Sequence, residues 1–251
     1  MSKVVCMIPA RYGSRRFEGK ALADLHGKPM IQRVYERVIE ADNIDLVAVV
    51  TDDKRIYDTV KGFGGNVMMS SRGHNTGTDR IAEVVDFLNL EDRDIVVNVQ
   101  GDQPRISPMH IEQVVLMLLK DELQVMSTLA FRIDSIDDIP DSNVVKVVFG
   151  DDGTAIYFSR CPIPYRQSGI AVPYYKHLGI YAYRVEFLKT YAALPQGALE
   201  LAESLEQLRA IENGYRIAIA VTDIDSPSVD TPSDLKKIHV TTISDHGRYA
   251  G

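Results

Sequence analysis

Cysteine is scarce in this chain. Cys6 and Cys161 are the only two in 251 residues, and neither a CxxC pair nor paired Cys/His metal spacing surrounds them. A disulfide framework and a zinc cage of ordinary spacing are both excluded. Cys6 lies in an apolar run and reads as a packed thiol. Positive charge is also short, with 28 Lys and Arg against 35 Asp and Glu and a net charge of −7. A surface that holds nucleic acid regardless of sequence needs the opposite balance. A small anion held by a local basic cluster stays open. No apolar stretch approaches the roughly 18–20 residues of a membrane span, and the early run at 4–8 is too short for a signal peptide. The expected setting is a reducing cytoplasm, with no membrane partner. Repeats, low-complexity tracts and Pro/Ser-rich linkers are missing too.

What is present is the mixture of a globular protein, 45% apolar and 25% charged. Against a yardstick of roughly 150 residues per domain the length amounts to about 1.7 domains, read here as one unit over 1–251. Short β-rich runs alternate with helical patterns through the first half. Residues 4–8 read as a buried strand ending at Pro9, which cannot donate to a ladder. A second strand at 46–50 stops at Thr51-Asp52-Asp53, a cap cluster for the next helix, which Gly62-Phe63-Gly64-Gly65 closes. Strands at 66–69 and 95–99 follow, with helices at 29–40 and 78–88. This alternation predicts an α/β fold, a mainly parallel sheet flanked by helices, with ligands beyond the carboxyl ends of its strands. In the second half, strands at 125–133, 144–149, 155–158 and 179–183 joined by short turns predict a smaller antiparallel extension. A single helix over 199–213, a strand at 216–221 and a closing helix near 233–238 complete the pattern.

The segment Pro9-Ala10-Arg11-Tyr12-Gly13-Ser14-Arg15-Arg16-Phe17-Glu18-Gly19-Lys20 carries four cations and two glycines. Glycine permits close backbone approach, and Arg and Lys suit phosphate oxygens. The alternative is a solvated basic loop; its place at a strand's carboxyl end favours a phosphate site. It matches neither GxGxxG nor GxxxxGK[ST], so a dinucleotide fold and a Walker-type NTPase are not supported. Asp102, in Val99-Gln100-Gly101-Asp102-Gln103-Pro104, can hold Mg²⁺ beside phosphates or merely cap a turn. Asp230 precedes Thr231-Pro232, a good helix start that needs no further role. His177 in a strand and Glu206-Gln207 between leucines each have an equally plain structural reading.

Taken in order, "IPARYGSRRFEGKAL", "HNTGTDRIAEV", "VNVQGDQP", "NVVKVV", "IYFSR", "YKHLGIYAY", "SLEQLRA" and "VDTPSDL" resemble the 3-deoxy-manno-octulosonate (Kdo) cytidylyltransferases over residues 4–238. That family activates sugar acids for lipopolysaccharide from CTP with Mg²⁺, releasing pyrophosphate. The resemblance implies a Rossmann-like nucleotidyltransferase sheet, with a nucleotide-binding core over 1–122. A sugar-acid and dimerisation extension would occupy 123–222, and a metal-site segment with the closing helix 223–251. It implies that Pro9, Ala10, Arg11, Gly13, Ser14, Arg16 and Lys20 bind CTP, with Arg16 and Lys20 offsetting charge on the leaving pyrophosphate. Asn75, Thr76 and Arg80 would shape the cytidine pocket, and Asp102 and Asp230 would ligate Mg²⁺. Gln100, Arg160, His177, Tyr181, Glu206 and Gln207 would hold the sugar acid, Arg160 being the natural partner of its carboxylate. A homodimer is implied as well.

Two departures stand out. The family usually has an apolar residue and proline before Gly-Lys, whereas this chain has Phe17-Glu18, and a carboxylate there repels a triphosphate unless it points outward or pairs with Arg15 or Arg16. Only sixteen residues separate Arg160 from His177. With "VPYYKHLGIYAY", that spacing looks more like the branch activating 8-amino-3,8-dideoxy-manno-octulosonate, with Kdo itself as the alternative substrate. The rival readings are a glycosyltransferase using a nucleotide-sugar donor and a non-catalytic nucleotide-binding regulatory module. A nicotinamide dehydrogenase lacks its glycine fingerprint.

Overall fold

A computed structural model describes residues 2–14, 16–71, 73, 74 and 76–245, from 239 onward the backbone alone. The first strand, β1 (Val4–Ala10), is buried along its whole length, so it is stable only where both sheet faces are covered. A short hairpin of β2 (Asp24–Leu25) and β3 (Lys28–Pro29) leads into α1 (Met30–Val38). Then come β4 (Leu46–Thr51), α2 (Lys54–Gly62), β5 (Val67–Met69), α3 (Gly77–Val85), β6 (Ile95–Val99) and α4 (Pro108–Lys120). The second half holds β7 (Met126–Arg132), β8 (Lys146–Phe149), β9 (Ala155–Ser159), β10 (Tyr175–Arg184) and α5 (Val185–Ala193). It ends with α6 (Ala198–Glu203), α7 (Leu208–Glu212), β11 (Ala218–Thr222) and α8 (Pro232–Asp245).

The central sheet runs β11-β7-β10-β6-β1-β4-β5, with the β8–β9 hairpin attached through β10. Its β6-β1-β4-β5 half is parallel, and β10 is antiparallel to both β6 and β7. Strand alternation sorts side chains onto two faces. Val4, Cys6, Ile8 and Ala10 join a core with α1, α2 and α4, whereas Val5 and Met7 join one with α3, α5 and α7. Cys6 is fully buried, as expected, and burial pushes its thiol pKa up.

Four expectations need correction. The first strand continues through Pro9 instead of ending there: the Lys3 carbonyl accepts from Ile95, so alternate residues including Pro9 face β6, whose ladder with β1 stops at Met7–Asn98. No donor is needed beyond that point. The helix expected over 199–213 is two helices, broken at Ser204, whose φ is 52°. There the carbonyls of Glu203 and Ser204 accept from the Arg160 guanidinium, and Tyr191 Oη donates to the Glu206 carbonyl. Tertiary donors thus replace helical ones. Strand β11 runs parallel to β7 and not antiparallel. Helices α4 and α5, absent from the sequence reading, cover the two faces behind β7 and β10.

Candidate active site

The carboxyl ends of β1 and β6 meet the amino-terminal half of β10 along one edge of the sheet, where a cleft of about 910 Å³ opens. The loop leaving β1 forms one wall. Pro9, Ala10, Arg11, Ser14, Arg16 and Lys20 line it. Two backbone N–H groups, of Ser14 and Gly19, donate to the Tyr12 carbonyl at 2.9 Å each. The Tyr12 ring is clamped by the Arg55 guanidinium 3.2 Å from its centroid. Gly19 adopts φ +69°, and a Cβ there would lie 3.1 Å from that ring, so glycine alone fits both demands. Glu18 is exposed and does not line the cleft; its charge acts on Arg55 instead. The departure from the family pattern therefore places no carboxylate in the cleft. Gly13, expected to bind CTP, is not part of the wall.

Asp102, just beyond β6, and Asp230, just before α8, converge on the same cation. Lys20 Nζ donates to Asp102 Oδ2 at 2.6 Å and lies 3.4 Å from Asp230 Oδ1, which Arg16 approaches at 2.9 Å. The Val229 N–H donates to the Asp102 carbonyl at 2.9 Å, tying the two loops together. Thr231 and Asp234 cap α8 as expected, so Asp230 is both next to a helix start and in the cleft. Lys20 is 14% exposed and the two carboxylates 25% and 34%, so their charges interact through a partly desolvated medium. The donor set is oxygen only. Among the described residues no group of three His, Cys, Asp or Glu forms a metal cage. One or two carboxylates supplemented by phosphate oxygens is the set that suits Mg²⁺, and these two residues fit it.

The opposite wall comes from α3 and the α6–α7 break. Thr76 caps α3 in a capping box with Asp79, and Arg80 lines the cleft with its guanidinium bonded to Ser70 and Asp52. Gln100, Tyr181, Arg160 and Glu206 reach the same space. Burial pushes the Glu206 carboxyl up, against the pull of hydrogen bonds from Thr78 and Thr76. Arg160, expected as a carboxylate partner, directs its three guanidinium nitrogens to the carbonyls of Glu203, Ser142 and Ser204.

Besides Gly13, two residues expected on the sugar-acid side are not on the wall. His177 packs on Phe158 and Tyr181, with centroids 5.0 and 5.3 Å away, and pairs with Thr128 Oγ1 at 2.9 Å. Desolvation keeps it neutral, its pKa pushed down to about 3. Gln207 is 2% exposed and lies behind the cleft. Asn75 lies outside the described residues. Residues not anticipated also line the cleft: His74, which bonds Glu83, and Gln196 and Glu200 from the α6 end. His74 opens a motif already singled out, though no role was assigned to it there. The α6 residues carry no local signal, because they reach the site only through the break at Ser204.

Comparison with known proteins gives the geometry its context. The family described as cytidylyltransferase matches residues 5–219. The chain belongs to that family. Among similar cytidylyltransferases, 3-deoxy-manno-octulosonate cytidylyltransferase of Syntrophus aciditrophicus is 53% identical, covering 95% of this chain and 96% of that one. The 8-amino-3,8-dideoxy-manno-octulosonate cytidylyltransferase of Shewanella sediminis is 50% identical over 93% and 96%. A solved CMP:2-keto-3-deoxy-manno-octonic acid synthetase, complexed with CTP, superposes with a TM-score of 0.92 at 42% identity, over 97% of this chain and 100% of its own. A 4-diphosphocytidyl-2C-methyl-D-erythritol synthase shares the fold alone, with a TM-score of 0.65 at 13% identity. This cytidylyltransferase has no described helix long and apolar enough to cross a membrane.

Proposed function

We propose that this cytidylyltransferase transfers CMP from CTP to the anomeric hydroxyl of Kdo or its 8-amino form, releasing pyrophosphate, for lipopolysaccharide synthesis. The observation that carries the reading is the Lys20 ammonium seated between Asp102 and Asp230 at the mouth of a basic loop. The anomeric hydroxyl oxygen attacks the α-phosphorus in line and gives up its proton to water, the bond from that phosphorus to the bridging oxygen breaks, and pyrophosphate leaves with the electron pair. Such a transfer depends on positioning and charge stabilisation, and no covalent nucleophile is required. Arg11, Arg16 and Lys20 bind the phosphates, and Arg16 and Lys20 offset charge on the leaving group. Thr76 and Arg80 border the cytidine side, joined by Asn75 from the resemblance. Asp102 and Asp230 hold Mg²⁺, which when bound supplies Lewis-acid stabilisation of the phosphate oxygens. CTP then takes over the cations that the two carboxylates occupy in the free protein.

Gln100, Tyr181, Arg160 and Glu206 bind the sugar acid, with His177 and Gln207 supporting them from behind. In this reading 1–122 serves the nucleotide, 123–222 the sugar acid and 223–251 the metal segment. The setting is cytoplasmic, where CTP is made and where the free thiols Cys6 and Cys161 stay reduced. The protein is a homodimer through the β8–β9 extension, a state that its sedimentation mass tests. Pyrophosphate release from CTP, followed with Kdo and with 8-amino-Kdo separately, tests the substrate: turnover with one acid names it. Release of a nucleoside diphosphate from a nucleotide-sugar donor, or no turnover with either acid, overturns the reading.

A further inference from the structure

Behind the cleft, two buried polar side chains connect residues on different walls. Asn98 of β6 and Thr78 of α3 are both 0% exposed. Gln100 Nε2 donates to Asn98 Oδ1 at 3.3 Å, Asn98 Nδ2 donates to Thr78 Oγ1 at 3.1 Å, and Thr78 Oγ1 donates to Glu206 Oε1 at 2.9 Å. With Glu206 as the acceptor from Thr78, the direction of the rest of the chain follows from chemistry. A threonine hydroxyl has one proton, and here it goes to the Glu206 carboxyl oxygen. Thr78 can then only accept from Asn98, so the Asn98 amide shows its carbonyl to Gln100, which must donate. Gln100 is thereby held with its Nε2 turned inward and its carbonyl oxygen left for the cleft. That oxygen lies 3.6 Å from where a Cβ on Gly77 would sit, at the cleft-lining start of α3.

We infer that Asn98 and Thr78 are positioning residues that set Gln100 and Glu206 as a pair of hydrogen-bond acceptors facing the sugar acid. The inference rests on the proposed function for the identity of that ligand. A polyhydroxylated acid, or one carrying an ammonium group, offers donors along its carbon chain, and an acceptor-lined wall complements them. A Gln100 amide free to flip presents N–H groups to those donors half the time. Glu206 without Thr78 loses a donor in a desolvated place, where an unmet carboxyl oxygen is costly. The register places Asn98 beside Tyr181 of β10, a third cleft residue, and the two middle links, Asn98 and Thr78, are closed to water.

The test is a comparison of Thr78→Val, which keeps shape and removes the hydroxyl, with Thr78→Ser, which restores it. Pyrophosphate release by Thr78→Val should show KM for the sugar acid raised about tenfold. The KM for CTP should change by no more than about twofold. Thr78→Ser should return the sugar-acid KM toward that of the unaltered protein. Asn98→Ser cuts the chain one link earlier and should raise the same KM. An unchanged sugar-acid KM in Thr78→Val, an equal rise in both KM values, or no rescue by serine overturns the inference. So does failure of both Thr78→Val and Asn98→Ser to fold, which would assign the chain to stability alone. Failure of the underlying reading looks different: the unaltered protein then turns over neither sugar acid.

Discussion

Lys20 shows how one side chain can serve two states. In the free protein its ammonium separates two carboxylates that otherwise repel each other, and in the proposed reading it becomes the phosphates' partner once CTP is bound. The same geometry accounts for a conflict visible in the charge count, an acidic protein that must bind a polyanion: the cations are local and already oriented by Asp102 and Asp230. Asp102→Asn keeps the shape and removes one of those charges. Pyrophosphate release in Mg²⁺ should fall by at least about a hundredfold. The thermal midpoint should stay within about 4 °C. Near-normal turnover would remove Asp102 from the proposed metal site. Lys20, Asp102 and Asp230 were legible as chemical types at the ends of predicted elements. The direction of Arg160 was not, because its carbonyl partners at Glu203 and Ser204 exist only where a helix unexpectedly stops.

The elements around the cleft are positioned by close backbone approach. Gly101 follows β6, and a Cβ there would lie 2.9 Å from the Pro9 carbonyl oxygen of β1. Since the neighbour is backbone, it cannot swing away. Gly101→Ala should cost about 1–3 kcal/mol and lower turnover by forcing the two strand ends apart. Gly13→Ala, with no atom within 4 Å of its added Cβ, should stay within about 0.5 kcal/mol of the unaltered protein. Urea midpoints of the two variants make the comparison, and equal midpoints would show that β1 and β6 adjust freely. The parallel strands were readable because their Val/Ile runs signal burial on both faces. The α6–α7 break was not, since Leu201, Leu205 and Leu208 keep a helical period through Ser204. There the bidentate Arg209–Glu200 pair, at 2.7 and 2.8 Å, holds the two short helices together.

For the molecule as a whole, the β8–β9 hairpin is the part least explained by a single chain. Among the described residues β9 ladders with β8 alone, apart from its first residue, where the Ala155 N–H donates to the Ile217 carbonyl. Ile156 on β9 is 61% exposed, and Tyr165 and Ile170 beyond it are exposed too. An edge strand bearing apolar side chains is a pairing surface. Sedimentation should give twice the 28.0 kDa chain mass, and Ile156→Glu should return it to one chain. A monomeric unaltered protein would overturn the dimer, and an Ile156→Glu variant that stays dimeric would place the contact elsewhere.

The linear order of residues determined the strands, the caps and the chemical types gathered at strand ends, because hydrophobic period and turn chemistry act over a few neighbours. It also carried the family resemblance, spread over eight short motifs. Only the tertiary structure decided which of those residues meet. Lys20 finds its carboxylates 82 and 210 residues away, and Thr78 finds Glu206 128 residues away. Such pairings depend on sheet order and on β10 entering antiparallel between β6 and β7, which no local pattern encodes. The same tertiary arrangement turned Glu18 outward, set His177 behind Tyr181, and used Asn98 and Thr78, which sit inside quoted motifs but had no role assigned from the sequence, to connect the walls of the cleft.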